Sequence, residues 1–215
     1  MKELLTIAVA ATSRSRVAEL AQFLGDIPVR LAPYDELTTL AVSLRQEGDS
    51  LEENAKNRAL SVAGSCRFAV LAEESGLEVT ALSGRPGVRS ASYAHGLATD
   101  AENNAALLRD MEEIAVEERG ARFRSVLALA LPGVAEPIVA EGVCSGWVGR
   151  QAGAASGIGY EPIFFVADAK GRALAALDPK ERAAWSHVAL AARALRPELI
   201  RYLNELIVEV ERIVR

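Results

Sequence analysis

Carboxylates and guanidinium groups recur in this chain where apolar segments run into polar ones. Glu73 and Glu74 follow the apolar run 68–72 and precede Ser75 and Gly76. Acids placed at the carboxyl edge of a strand suit a hard divalent ion, because Mg²⁺ takes oxygen ligands and keeps some of its waters. Arg16 lies in the first turn of a helix that follows an apolar strand and the polar loop 11–16, with Ser13 or Ser15 as N-cap. Such a helix start presents free N–H groups and a positive dipole end to an anion, and an arginine there adds charge to a bound phosphate. Glu52, Glu53 and Asn54 open a second helix, with Arg58 a turn or so later. The glycine-containing loop 156–162 offers Tyr160 as a stacking face and Glu161 as an acceptor for a base edge, and Arg182, Ser186 and His187 follow it. Each feature alone also has a plainer reading. The arginine can be a surface residue on a capped helix, the first-turn acids can answer the helix dipole, the acid pair can flank a turn, and His187 can be a hydrogen-bonded structural residue.

The elements that must position these groups follow from pattern. Residues 4–10 read as a buried strand. Val17, Leu20, Ala21 and Leu24 then recur at helical spacing, and a short strand at 29–31 follows Pro28. A helix is expected over 49–63, with Asp49 or Ser50 as its cap. Residues 68–72 and 77–82 read as two strands with Glu73-Glu74-Ser75-Gly76 between them, and 83–87 as a turn. A long amphipathic helix is expected over 100–118. Two antiparallel strands, 122–131 and 137–148, are expected around Pro132-Gly133, and an apolar strand at 163–166. From Pro179 the chain reads as helical to its end, with Pro197 starting the final helix. That helix repeats Leu199, Leu203, Leu206, Val210 and Ile213, with Ile200, Ile207 and Val214 alongside, a wide stripe fitted to core packing or to a subunit contact. The fold class is α/β.

Bulk properties narrow the partners. The 215 residues carry a net charge of −5, with 50% hydrophobic and 25% charged side chains, so the chain lacks the basic excess of a general nucleic-acid binder. No segment approaches the apolar length of a transmembrane helix. Cys66 and Cys144 form no CxxC and no zinc spacing, which fits buried thiols in a reducing cytoplasm. Ala8-Val9-Ala10 after Lys2 loosely resembles a signal-cleavage box, but the run reads better as the first strand.

Taken in order, six segments resemble the inosine triphosphate pyrophosphatase family, which hydrolyses non-standard purine nucleoside triphosphates. They are Ser13 with Arg16, Glu53-Asn54-Ala55 with Arg58, Glu73-Glu74-Ser75-Gly76-Leu77, Pro86-Gly87-Val88-Arg89-Ser90-Ala91-Ser92-Tyr93, Gly157-Ile158-Gly159-Tyr160-Glu161-Pro162-Ile163-Phe164, and Ser186-His187. The resemblance implies a long twisted mixed sheet flanked by helices, with two lobes around a nucleotide cleft, in a homodimer. It covers about residues 4–195, within one catalytic domain over 1–195, and leaves 196–215 as an additional C-terminal helix packed on that domain or at a subunit contact. It also implies Mg²⁺ as cofactor and water attack on the α-phosphorus. Glu53, Glu73 and Glu74 would be the metal acids, with Glu74 orienting or deprotonating the water. Ser13, Arg16, Arg58, Ser75, Tyr160, Glu161, Arg182, Ser186 and His187 would bind substrate.

The departures keep charge and change geometry. Arginines stand at 16, 58 and 182 where the family has lysines, and glutamates at 73, 74 and 161 where it has aspartates. Ser13 replaces an asparagine. Val188 replaces the arginine that helps to read the purine 6-oxo group, so that departure falls on base selectivity rather than on phosphate chemistry. Two alternatives accompany this reading: a nucleotide-binding or regulatory protein that kept the fold and lost turnover, and a paralogue acting on another triphosphate.

Overall fold

The computed structural model describes residues 5–11, 13–40, 42, 44, 48–153 and 157–214, so Leu4, Thr12 and Ser156 of the segments above lie outside it. A seven-stranded mixed sheet has the order β2-β1-β3-β4-β5-β6-β7. Its strands are β1 (Leu5–Val9), β2 (Val29–Pro33), β3 (Ala69–Val79), β4 (Gly120–Ala130), β5 (Ile138–Val148), β6 (Phe164–Val166) and β7 (Arg172–Ala173). β1 runs parallel to β2 and β3, and every later pairing is antiparallel. The helices are α1 (Arg14–Phe23), α2 (Leu51–Ala63), α3 (Asp100–Asp110), α4 (Pro179–Trp185) and α5 (His187–Val214). Among the described residues no helix is long and apolar enough to cross a membrane.

Alternation along β3 and β4 sorts the core into two faces. Leu71, Leu127 and Leu129 pack with Val17 and Leu20 of α1 and with Val188, Ala191 and Leu195 of α5. On the opposite face Val70, Ala72, Val126 and Ala128 pack against Leu51, Ala55, Ala59 and Val62 of α2. Leu77, Val79 and Phe123 continue the first face into the antiparallel half, where Leu107 of α3, Met111 at its end and Phe164 of β6 cover them. Gly142 shows how closely α5 lies on the sheet: a Cβ there would stand 2.1 Å from the His187 carbonyl oxygen and 2.2 Å from the Ala191 nitrogen.

Three expectations change. The two strands expected around Glu73-Glu74-Ser75-Gly76 are one strand, because β4 pairs without interruption from Val70↔Ala130 to Val79↔Ala121, and a full ladder outweighs turn-like composition. The helix expected over 100–118 stops at Asp110. There the buried Arg119 guanidinium donates to the carbonyls of Met111 (2.5 Å), Val148 (2.9 Å) and Gly149 (2.8 Å), turning the chain back into β4. The helical tail breaks at Ser186, whose backbone is extended and whose Oγ accepts the Ala189 N–H at 3.2 Å as a helix-start cap. Pro197 starts no helix of its own and lies inside the 28-residue α5.

Candidate active site

β1 ends at Val9, opposite Leu71, while β3 continues for eight more residues. The Ala10 N–H still bonds the Leu71 carbonyl (2.8 Å), and further on Ser90 Oγ accepts the Leu77 N–H (2.9 Å). Between those two contacts the edge of β3 is open among the described residues. Gly76 lets the turn at 87–92 close in just beyond the gap, since a Cβ on it would stand 2.4 Å from the Gly87 carbonyl oxygen. Because residues 71, 73, 75 and 77 share an edge, the main-chain groups of Glu73 and Ser75 face the gap. Their neighbourhood is a cleft of about 470 Å³ at the carboxyl end of β1, lined by Ser13, Arg16, Glu19, Arg58, Glu73, Glu74 and Ser75 among others.

Adjacent strand residues point to opposite faces, and here the two faces meet around the open edge. On the α1 face, Glu73 accepts the Ser125 hydroxyl at 2.9 Å and faces Arg16 Nε at 3.4 Å. Arg16 Nη1 lies 2.6 Å from Glu19 Oε2, and Glu19 Oε1 lies 3.7 Å from Arg182 Nη2. Arg182 grips Glu161 with both nitrogens, at 2.6 and 3.2 Å. On the α2 face, Arg58 Nη2 stands 2.5 Å from Glu74 Oε1, and the Glu74 side chain is only 2% exposed. Each of the three arginines therefore faces one of the three glutamates at the departing positions: 16 with 73, 58 with 74, and 182 with 161. Glu73 holds Arg16 above its ordinary pKa despite burial. Burial is the largest single influence on Arg182 and opposes its charge, but Glu161 and Glu19 together outweigh it and raise that pKa too.

Local structure explains the placements. Ser13 Oγ caps α1, accepting the Arg16 N–H at 3.4 Å, which sets Arg16 in the first turn beside the end of β1. Asp100 accepts the Gly159 N–H (2.7 Å) and Asn104 donates to its carbonyl (3.0 Å), so α3 holds the glycine loop near the cleft. Glu161 also accepts the Ile158 N–H at 3.3 Å, and with Arg182 this occupies the carboxylate expected at a base edge. Behind the cleft His187 stacks on Phe123, with centroids 4.6 Å apart, and its Nδ1 has no hydrogen-bond partner among the described residues. Burial, then the charges of Arg16 and Arg182, push its pKa down to about 3, so the imidazole is neutral at ordinary pH. Ser186 is buried beside it as the cap of α5.

Two expected site residues lie elsewhere. Glu53 is exposed, and its carboxylate reaches back to the Asp49 N–H (3.0 Å) while Ser50 accepts the Glu53 N–H (3.0 Å), a reciprocal cap on α2. It does not join Glu73 and Glu74, and among the described residues no three His, Cys, Asp or Glu side chains form a group able to hold a metal. Tyr160 is 2% exposed and donates to the Ser90 carbonyl at 2.9 Å, and burial raises its pKa, so its ring is core rather than a free stacking face. Glu19 is the cleft residue that sequence reasoning missed. Its only signal was a position three residues after Arg16 on the same helix face.

A family model described as the Ham1 family matches residues 7–198. The chain belongs to the Ham1 family. Among its relatives, the dITP/XTP pyrophosphatase of Nocardia farcinica is 37% identical over 202 residues, covering 90% of this chain and 94% of that protein. That of Bacillus cereus is 33% identical over 200 residues, covering 93% and 97%. The solved HAM1 protein of Coxiella burnetii superposes with a TM-score of 0.83 at 33% identity, covering 92% of this chain and 99% of that one. The Ham1 likeness thus spans both halves of the sheet and the cleft between them.

Proposed function

We propose that this chain hydrolyses non-standard purine nucleoside triphosphates, dITP and XTP among them, to the monophosphate and pyrophosphate. The observation that carries the reading is the cleft at the end of β1, where Arg16 and Arg58 face Glu73 and Glu74 across an open strand edge. The names of the relatives supply the substrate class.

In this reading Arg16, Arg58 and Arg182 receive the triphosphate, and Ser13 and the main chain at Ser75 add donors. Water attacks the α-phosphorus, a new P–O bond forms, and the bond to the β-phosphate oxygen breaks. Glu74 orients the water and takes its proton. The arginines offset the charge that grows on the departing pyrophosphate. His187 and Ser186 back the pocket as neutral groups. Mg²⁺ fits the donor set, since the cleft offers hard carboxylate oxygens and the phosphates and waters would complete its shell. Glu74, with Glu73 beside it, would hold the ion, which when bound neutralises phosphate charge and lowers the pKa of water. Three guanidiniums against four carboxylates, counting Glu19 and Glu161, also favour a cation accompanying an anionic substrate. Homodimerisation, implied by the family resemblance, and a cytoplasmic setting, drawn from the two free thiols, go with this reading.

The test is pyrophosphate release from dITP, XTP, deoxyuridine and standard triphosphates, with Mg²⁺ and with chelator. Metal-dependent release fastest with dITP or XTP is the expected result. Binding without release from any of them would make the chain a nucleotide-binding protein that lost turnover, and release fastest with another base would make it a paralogue.

A further inference from the structure

Arg58 and Glu74 stand where a cation and a phosphate would each have to go. Arg58 Nη2 lies 2.5 Å from Glu74 Oε1, and the two side chains are only 16% and 2% exposed. A divalent ion cannot share that oxygen comfortably, because two cations would then crowd one carboxylate in a poorly solvated place. Nor can the guanidinium leave for nothing, since a buried charge without a counter-charge is costly. It already has an unused donor: Arg58 Nε is buried and has no hydrogen-bond partner among the described residues, while Nη2 also donates to the Leu44 carbonyl at 3.3 Å. A phosphate oxygen is the partner that guanidinium geometry would accept, two N–H groups at once. The other cleft arginines differ. Arg16 keeps Glu19 as a partner if it leaves Glu73, and Arg182 is held by Glu161 and the Leu174 carbonyl, so neither depends on a metal ligand as its one carboxylate.

We infer that metal and triphosphate enter this cleft by exchange of partners at the Arg58–Glu74 pair, the cation taking Glu74 as Arg58 turns to a phosphate. The inference rests on the proposed function. Arg58 is then more than a phosphate contact: it holds the metal position until substrate arrives, so each ligand binds weakly alone and tightly with the other. Such coupling is reciprocal. It keeps a bare ion from settling in the cleft and makes productive loading depend on both ligands.

The experiment is a titration with Mn²⁺ alone, following free Mn²⁺ by electron paramagnetic resonance, on the wild type, Arg58→Gln, and Arg58→Gln with Glu74→Gln. Removing the guanidinium should tighten Mn²⁺ binding about tenfold or more, and the double variant should lose that gain. Equal or weaker binding by a folded Arg58→Gln protein would overturn the exchange. Should that variant not fold, the wild type decides it through the Arg58 Nε–H resonance, identified by its loss in Arg58→Lys. That signal should move with Mg²⁺ plus a triphosphate whose α–β bridge is an imido group, and stay in place with Mg²⁺ alone. Movement with Mg²⁺ alone, or no movement on either addition, refutes the inference. The proposed function fails separately, by the absence of pyrophosphate release.

Discussion

Two arginine–glutamate networks lie along β3, and they use the same chemistry to different ends. One surrounds Glu73 and Glu74 at the open edge. The other is a ladder on the face that α2 leaves bare: Arg122 to Glu78 at 2.6 Å, Arg124 to Glu78 at 2.7 Å and Arg124 to Glu141 at 2.8 Å. A hollow of about 530 Å³ beside that ladder, lined by Glu78, Arg122 and Ser145, is comparable in size to the cleft. Volume does not decide which is the site. Arg122 and Glu141 are 55% and 43% exposed, so water screens the ladder, and its groups sit on a continuous sheet that offers no free main chain. In the cleft the carboxylates are 7% and 2% exposed and stand beside a strand edge and a helix start. Burial and unfilled backbone, rather than the number of charges, separate the cleft cluster from the surface one.

The difference can be broken or sharpened in order of effect. Glu74→Gln keeps the shape and removes the proton acceptor. Pyrophosphate release should fall by about 10²- to 10⁴-fold, and near-normal turnover would move the reaction away from the cleft. Gly142→Ala attacks the covered face behind the cleft, forcing α5 off the sheet. Denaturant unfolding should report a loss of at least about 2 kcal/mol, whereas a neutral result would mean α5 lies less tightly than described. His187 supplies a pH test. The unfolded chain takes up its proton near the ordinary 6.5, while the folded protein does not until about 3. Its contribution is therefore complete above pH 6.5 and declines as pH falls from 6.5 toward 3. Between pH 7.5 and 5.5 the wild type should lose ~1.4 kcal/mol that His187→Asn does not lose. The smallest effect belongs to the ladder: Glu78→Ala should leave turnover unchanged and cost at most about 1 kcal/mol of stability. A drop in turnover there would erase the distinction between the two networks.

Local pattern carried much of this fold. The apolar run of β1, the cap and spacing of α1, the Ser50 start of α2 and the Pro132-Gly133 hairpin are each set by neighbours in sequence, and all appear where the pattern puts them. The order of the acids and arginines along the chain led to the family. Boundaries that depend on a distant partner were not legible. Glu73-Glu74-Ser75-Gly76 has the composition of a turn, and only the ladder with β4, some fifty residues away, makes it strand. Tyr160 and Glu161 read as free groups of a loop, but the Ser90 carbonyl and Arg182 occupy them. Glu53 reads as a metal acid beside Arg58, yet the local cap on α2 satisfies it first.

By itself, then, the sequence determined which residues could do chemistry and which local elements would carry them, because capping, alternation and helical spacing act over a few residues. Only the tertiary structure decided which of those side chains meet. β1 stops before β3 does, and that difference in length opens an edge where Glu73 from one face and Glu74 from the other reach a common space. No local interaction encodes where one strand outruns another, since that depends on pairing and packing across the whole sheet.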